Sequence, residues 1–222
     1  MPPRTLPLRI AHRGIPRRAP ENTLPSFRLA LEAGADGLEL DVHATRDGVV
    51  VIHHDEAIAS GQPIRAMSLR ELRHHEAAPG VAIPTLEELC ALVAGRAVLF
   101  VEVKGVAIEG DVLGALSRYA GDVAIHSFDH ALIRRIHDRQ TAYPLGILFE
   151  DRIDDVLDAM ARTGASDVWP HWRSVTPDLC ALVHGAGGRV IPWTVNRLAE
   201  ATALAAMGVD GLCGDDITVF ER

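Results

Sequence analysis

The chain has 222 residues and a formal net charge of −8, with 48% hydrophobic and 23% charged residues. This composition excludes disorder over the bulk of the chain, and the excess of Asp and Glu excludes a broad basic face for nucleic acid. An anion can bind only where local cations or a metal reverse the field.

The first nine residues carry no apolar stretch of leader type, so no signal peptide is expected. No apolar run is long enough to span a bilayer. Cys90, Cys180 and Cys213 are scattered and form no C-x-x-C, which predicts free thiols, a reducing compartment and a cytoplasmic protein.

From the N-terminus, β-branched runs fall at 8–12, 37–42, 49–53, 97–103, 123–128, 145–149, 167–170, 189–195 and 209–213. Amphipathic stretches with helical spacing fall at 26–32, 85–93, 108–119, 130–138, 153–162, 177–184 and 198–207. Strands alternating with helices predict βαβ units and a parallel sheet. One connection departs from this: between 37–42 and 49–53 there is room only for Thr45-Arg46-Asp47-Gly48, and Asp-Gly is a favoured two-residue hairpin turn. Run 49–53 is therefore expected to return antiparallel. The remaining runs make eight parallel strands, the closing number of a (β/α)8 TIM barrel, with a β-hairpin after the second strand. The competing architecture, an open doubly wound sheet, wants a G-x-G-x-x-G turn that Ala11-His12-Arg13-Gly14 does not supply. No linker divides the chain, so residues 1–222 are expected to form a single domain. Segment 56–84 carries little pattern beyond one short helical piece at 68–73; it reads either as a connection over one end of the barrel or as a surface excursion.

A barrel places its chemistry at the C-terminal ends of its strands. There the chain carries His12-Arg13, Glu39-x-Asp41, His54-Asp55, Glu102-x-Lys104, Ser127-Phe128 and Trp193-Thr194-Val195-Asn196. Glu39 and Asp41 share one face of their strand, as do Glu102 and Lys104. The outer face of a parallel barrel is covered by helices, so these groups point inward. Adjacent carboxylates repel unless a cation lies between them, and three carboxylates suit a hard divalent ion, Mg²⁺ or Ca²⁺, with Mn²⁺ also compatible. The alternative is a buried carboxylate–Lys104 pair without metal. With Asp47-Gly48 as the turn, Arg46 faces Val49 and His54 falls opposite Asp41, while His53 points to the other face. Two histidines can divide proton donation and acceptance between them, and Arg13 and Lys104 carry donors suited to phosphate oxygens. The set reads as phosphodiester cleavage.

The ordered motifs Ala11-His12-Arg13-Gly14, Pro20-Glu21-Asn22-Thr23, Glu39-x-Asp41, Thr45-x-Asp47-Gly48, His54-Asp55, Ile83-Pro84-Thr85-Leu86-Glu87-Glu88, Glu102-Val103-Lys104, Ser127-Phe128, Trp193-Thr194-Val195-Asn196 and Gly208-Val209-Asp210-Gly211 resemble the glycerophosphodiester phosphodiesterases across almost the whole chain. The resemblance implies hydrolysis of a glycerophosphodiester, a small-molecule substrate, to glycerol 3-phosphate and an alcohol. It implies His12 and His54 as the acid–base pair, Glu39, Asp41 and Glu102 as ligands of a divalent metal, and Arg13 and Lys104 as phosphate contacts. Phe128 and Trp193 match residues near the substrate, with core packing an equal reading for Phe128. Asn22-Thr23 is expected to cap the first helix, and Glu21 has a supporting role.

The chain departs from the family pattern after His54-Asp55, where Glu56-Ala57-Ile58-Ala59-Ser60-Gly61 replaces an Arg-containing stretch, and at Cys213-Gly214-Asp215. Neither departure is expected to touch the catalytic set; both bear on the leaving alcohol. The short 56–84 connection predicts no deep lid, a partly solvated leaving group and similar turnover of choline, ethanolamine and glycerol esters. His184-Gly185-Ala186-Gly187-Gly188 reads as a helix-ending turn. His126 and His171 lie near strand ends as minor candidates for the pocket wall. Two rival functions are a lysophospholipase D or phospholipase-like lyase on the same barrel, which wants a wide apolar mouth, and a non-catalytic barrel that binds phosphate esters. Oligomeric state has no signature in the sequence.

Overall fold

The computed structural model describes residues 6–150 and 153–220; part of the N-terminal stretch read for a leader lies outside them. Eight parallel strands, β1 (Leu8–His12), β2 (Gly37–Ala44), β6 (Val98–Val103), β7 (Val123–Ser127), β8 (Leu145–Phe149), β9 (Asp167–Pro170), β10 (Arg189–Val190) and β11 (Gly211–Gly214), stand in the order β10-β9-β8-β7-β6-β2-β1-β11. β3 (Val50–Ile52) pairs antiparallel with the end of β2. The segment after β3 folds into a short helix α2 (Leu69–Leu72) and a small hairpin of β4 (Glu76–Ala78) and β5 (Val81–Ala82). The other helices are α1 (Leu24–Glu32), α3 (Leu86–Val93), α4 (Glu109–Leu116), α5 (His130–His137), α6 (Val156–Thr163), α7 (Pro177–Gly185) and α8 (Leu198–Ala206). The expected (β/α)8 barrel with its hairpin is the fold observed.

Strand run 189–195 is regular only over Arg189–Val190. Pro192 has no N–H to give to a ladder. The barrel closes across it by Asp210 N to Val190 O at 2.9 Å, Cys213 N to Pro192 O at 3.0 Å and Val195 N to Cys213 O at 2.8 Å. A Cβ on Gly214 would sit 2.1 Å from Val195 O, so this seam needs glycine. Gly214→Ala is expected to lower stability by about 1–3 kcal/mol, the usual range for overpacking, read as a drop in Tm of roughly 2–12 °C for a chain of this size.

Side chains alternate across each strand. Outward residues such as Leu38, Leu40, Val42, Leu99, Val101 and Val103 join the helices in one large core. The inward residues Ile10, Phe100, Ala124, Leu148, Trp169, Ile191 and Cys213 form a second, smaller core that plugs the barrel. Two positions beyond each, on the strand or just past its end, stand His12, Glu102, His126, Glu150, His171, Trp193 and Asp215, of which all but His171 stay on the inward side. A step of two keeps the face and rises one layer, so the apolar plug is the floor on which polar side chains stand.

Segment 56–84 has its own small core of Ile58, Ile64, Met67, Leu72 and Ile83 on Val51 of β3. It is thus anchored to the hairpin. Ser68 and Glu71 cap α2 reciprocally, and Thr85 and Glu88 do the same for α3. Thr23 alone caps α1, accepting from Ser26 N; Asn22 has a different task. The turn after α7 is the helix end expected, with Gly187 at φ +77°.

The hairpin register corrects the sequence reading by one residue. The observed pairs are Val42 with Ile52, His43 with Val51 and Ala44 with Val50. Thr45, not Arg46, faces Val49: Thr45 N donates to Val49 O at 3.0 Å, and Thr45 Oγ1 accepts from Val49 N at 3.0 Å. The loop is therefore three residues, Arg46-Asp47-Gly48, with Gly48 at φ +77°. His53 falls opposite Asp41, its N–H donating to Asp41 O at 3.0 Å. β3 nevertheless ends at Ile52, and the chain turns as it leaves the ladder.

Candidate active site

Above the plug lies a cavity of about 330 Å³ lined by His12, Arg13, Glu39, His54, Glu102, Lys104, His126, Phe128 and Trp193, among others. Of the nine predicted site residues, eight line it. The ninth, Asp41, is fully buried and held by residues that do line it.

The Asp41 carboxylate is a hub. Its Oδ2 receives Asn22 Nδ2 at 2.8 Å and lies 2.9 Å from Arg13 Nε, while its Oδ1 lies 3.6 Å from Lys104 Nζ. Arg13 (φ +53°) and Asn22 (φ +56°) both hold left-handed backbone conformations, which aim the Arg13 N–H at Glu39 Oε2, 3.2 Å away, and the Asn22 amide at Asp41. Burial disfavours the Asp41 charge, but Arg13 and Lys104 outweigh it and hold the carboxyl below its ordinary range. Arg13 also reaches Glu21 at 3.1 Å.

Glu39 and Glu102 meet a third group, His126, which in sequence is only a minor candidate for the pocket wall. One ligand atom each from Glu39, Glu102 and His126 lies within 4.8 Å of the others, and all three residues are buried. His126 Nε2 is 3.7 Å from Glu39 Oε1, its ring stacks on Trp169 at 4.3 Å, and neither ring nitrogen has a hydrogen-bond partner among the described residues. Asp41 Oδ1 likewise accepts no hydrogen bond. Burial, then the charges of Asp41 and Glu39, push the Glu102 carboxyl up to about 7, although Lys104 donates to it at 3.1 Å. Orphaned buried acceptors around crowded carboxylates are the donor set a divalent cation satisfies, so the residues present fit one. His171, the other minor candidate, faces an outer groove and not this cavity.

The two catalytic candidates are held alike. His12 Nδ1 lies 2.7 Å from Asp215 Oδ1, and His54 Nδ1 lies 2.7 Å from Asp55 Oδ1. Each carboxylate accepts from Nδ1 and so leaves Nε2 for the cavity. Burial opposes the positive charge of His12, but the Asp215 hydrogen bond and the Glu39 charge raise its pKa above the ordinary value. Asp215 is itself fixed by Asn196, which donates Nδ2 to its Oδ2 at 2.6 Å and accepts its N–H at 2.9 Å. The stretch 213–215, expected to lie clear of the catalytic set, thus touches it directly. Its last residue, Asp215, follows β11, which pairs with β1 and so sets the carboxylate beside His12. His43, the last inward residue of β2, was missed altogether. Its Nε2 donates to the His54 carbonyl at 3.2 Å and holds the turned backbone that carries His54 into the cavity. His53 donates Nδ1 to Asp55 O at 2.9 Å and does not line the cavity.

Phe128 is 41% exposed, which removes the core-packing reading for it. Its ring meets Trp193 edge to face at 5.4 Å. Trp193 Nε1 donates to Trp169 O at 3.1 Å, which fixes the indole as a wall.

The family model described as "Glycerophosphoryl diester phosphodiesterase family" matches residues 12–219. A glycerophosphodiester phosphodiesterase of Caldanaerobacter subterraneus subsp. tengcongensis is 32% identical over 226 residues, covering 93% of this chain and 93% of its own length. One from Bacillus altitudinis is 29% identical, covering 92% and 93%. The solved structure of an Oleispira antarctica phosphodiesterase, in complex with the product sn-glycerol-3-phosphate, has the same fold. Its TM-score is 0.88 at 23% identity, covering 95% of this chain and 93% of that one.

Proposed function

We propose a metal-assisted mechanism with two histidines for this chain, which belongs to the glycerophosphoryl diester phosphodiesterase family and is an enzyme of that activity. The substrate is a glycerophosphodiester, and the products are glycerol 3-phosphate and an alcohol. The observation that supports the mechanism is the crowding of Glu39, Glu102 and His126 in the cavity that His12 and His54 also line.

Glu39, Asp41 and Glu102 would hold a divalent cation, Mg²⁺, Ca²⁺ or Mn²⁺, with His126 beside them. A softer ion such as Mn²⁺ would draw more on the imidazole. Bound there, the ion supplies a positive field for the phosphate oxygens. Arg13 and Lys104 add donors on the same side and orient the phosphate. One histidine takes the proton of the attacking oxygen at its Nε2 while the other gives a proton to the leaving alkoxide from its Nε2. Asp215 and Asp55 keep both Nε2 atoms available and stabilise whichever ring is charged. Trp193 and Phe128 form the apolar wall of the cavity.

No helix among the described residues is long and apolar enough to cross a membrane. The free thiols, with Cys180 and Cys213 buried, support a reducing, cytoplasmic setting. A single domain and a small-molecule substrate complete the reading.

The direct test is release of glycerol 3-phosphate from glycerophosphoglycerol by the purified protein with Mg²⁺ or Ca²⁺, scored with an enzyme-coupled assay. Absence of release under every divalent ion would overturn the reading.

A further inference from the structure

The cavity is electrostatically divided, and the division follows strand order. Its cations and both catalytic histidines come from the β1, β2, β3 and β6 side: His12, Arg13, His54 and Lys104. The β7-to-β10 side contributes His126, buried and stacked on Trp169, with Phe128, Leu148, Glu150, Trp193 and Thr194, none of them a Lys or Arg. Among the described residues on that side the one carboxylate is Glu150, exposed at the rim just past β8. No ion pair or hydrogen bond engages it among the described residues.

Glu150 also lines a wide outer groove of about 1050 Å³, together with His171, Asp155, Asp178, Leu157 and Leu182, among others. The two spaces therefore meet at Glu150. His171 at the groove's inner end meets Trp193 edge to face at 5.7 Å. Arg173, the one Arg or Lys among the described residues that line the groove, is stacked 4.8 Å over the Trp172 ring. A substrate whose phosphate lies against Arg13 and Lys104 sends one of its two ester substituents toward this side. That side presents the aromatic faces of Phe128 and Trp193 with a carboxylate that no described residue engages, the combination that stabilises an organic cation and offers a neutral polyol much less.

We infer that Glu150, with the Phe128–Trp193 wall, selects glycerophosphodiesters whose leaving alcohol carries a positively charged nitrogen, of the choline or ethanolamine type. The inference rests on the phosphodiesterase reading above and refines the sequence-based expectation of similar turnover for all esters. Its size is modest because Glu150 is solvated: about tenfold in kcat/KM for cationic over neutral alcohols.

The experiment compares kcat/KM for glycerophosphocholine and glycerophosphoglycerol in the native enzyme, Glu150→Gln and Glu150→Lys. The ratio should be about ten in the native enzyme, fall close to one in Glu150→Gln, and drop below one in Glu150→Lys. The native ratio should also shrink with added salt, since the attraction is electrostatic. A native ratio of one, or a ratio unchanged by both substitutions, would overturn the selectivity while leaving the hydrolase reading intact. Hydrolysis of neither ester by the native protein would overturn both, so the two failures are distinguishable.

Discussion

His12→Ala and His54→Ala are each expected to lower turnover by about 10²–10⁴-fold, the usual worth of one general acid or base, with much less effect on KM. Each ring is anchored at Nδ1 by its own carboxylate, which leaves Nε2 to the substrate. The double variant should lose less than the product of the single losses, because groups that act as a unit are not additive. A p-nitrophenyl ester separates the roles: its leaving group needs little protonation, so it should rescue the variant lacking the acid and leave the one lacking the base inactive. Asp215→Asn should lose a fraction of what His12→Ala loses, since it disturbs the orientation of the ring and leaves the ring in place. His53→Ala is the internal control. His53 falls opposite Asp41 in the ladder yet stays out of the cavity, so its loss should leave turnover within about tenfold of native. If His53→Ala proved as inactive as His12→Ala while His54→Ala kept its activity, the acid–base assignment would be wrong.

Chelation is the second large effect. Removing divalent ions with EDTA should abolish hydrolysis, and Mg²⁺, Mn²⁺ or Ca²⁺ should restore it, because otherwise Glu39, Asp41 and Glu102 face one another with only Lys104 and Arg13 in compensation. A readout independent of activity is thermal stability. A ligand bound only to the folded state at 100 times its Kd stabilises by about 2.7 kcal/mol, which for a chain of this size is roughly 5–10 °C in Tm. Glu102→Gln should reduce that shift and retain the fold, because it removes one of the crowded carboxylates. Full activity in a rigorously metal-free preparation, with no change in Tm on adding any of the three ions, would refute the metal site.

Some of this architecture is local enough to be legible before any fold is known. Strand periodicity, helix periodicity and the single connection too short for a helix specify the barrel and its hairpin, because each rests on side-chain spacing within a few residues. Spacing also places Glu39 with Asp41 and Glu102 with Lys104 on inward faces. The same step of two puts an apolar floor residue beneath many of the site groups, as Ile10 lies beneath His12 and Phe100 beneath Glu102.

What needed the tertiary structure is whatever depends on groups distant in sequence or on how a strand ends. The hairpin register turned on Thr45 using its hydroxyl to close a three-residue loop, a side-chain choice that the Asp-Gly pair does not reveal. His54 reaches the cavity because its strand stops at Ile52, with His43 bonding its carbonyl. Asp215 reaches His12 across 203 residues because barrel closure sets β11 beside β1. His126 joins Glu39 and Glu102 because β7 follows β6 and β2 in strand order. Periodicity determines which face of its own strand a residue occupies; which residues share that face across the barrel is decided only when the strands are ordered, staggered and closed.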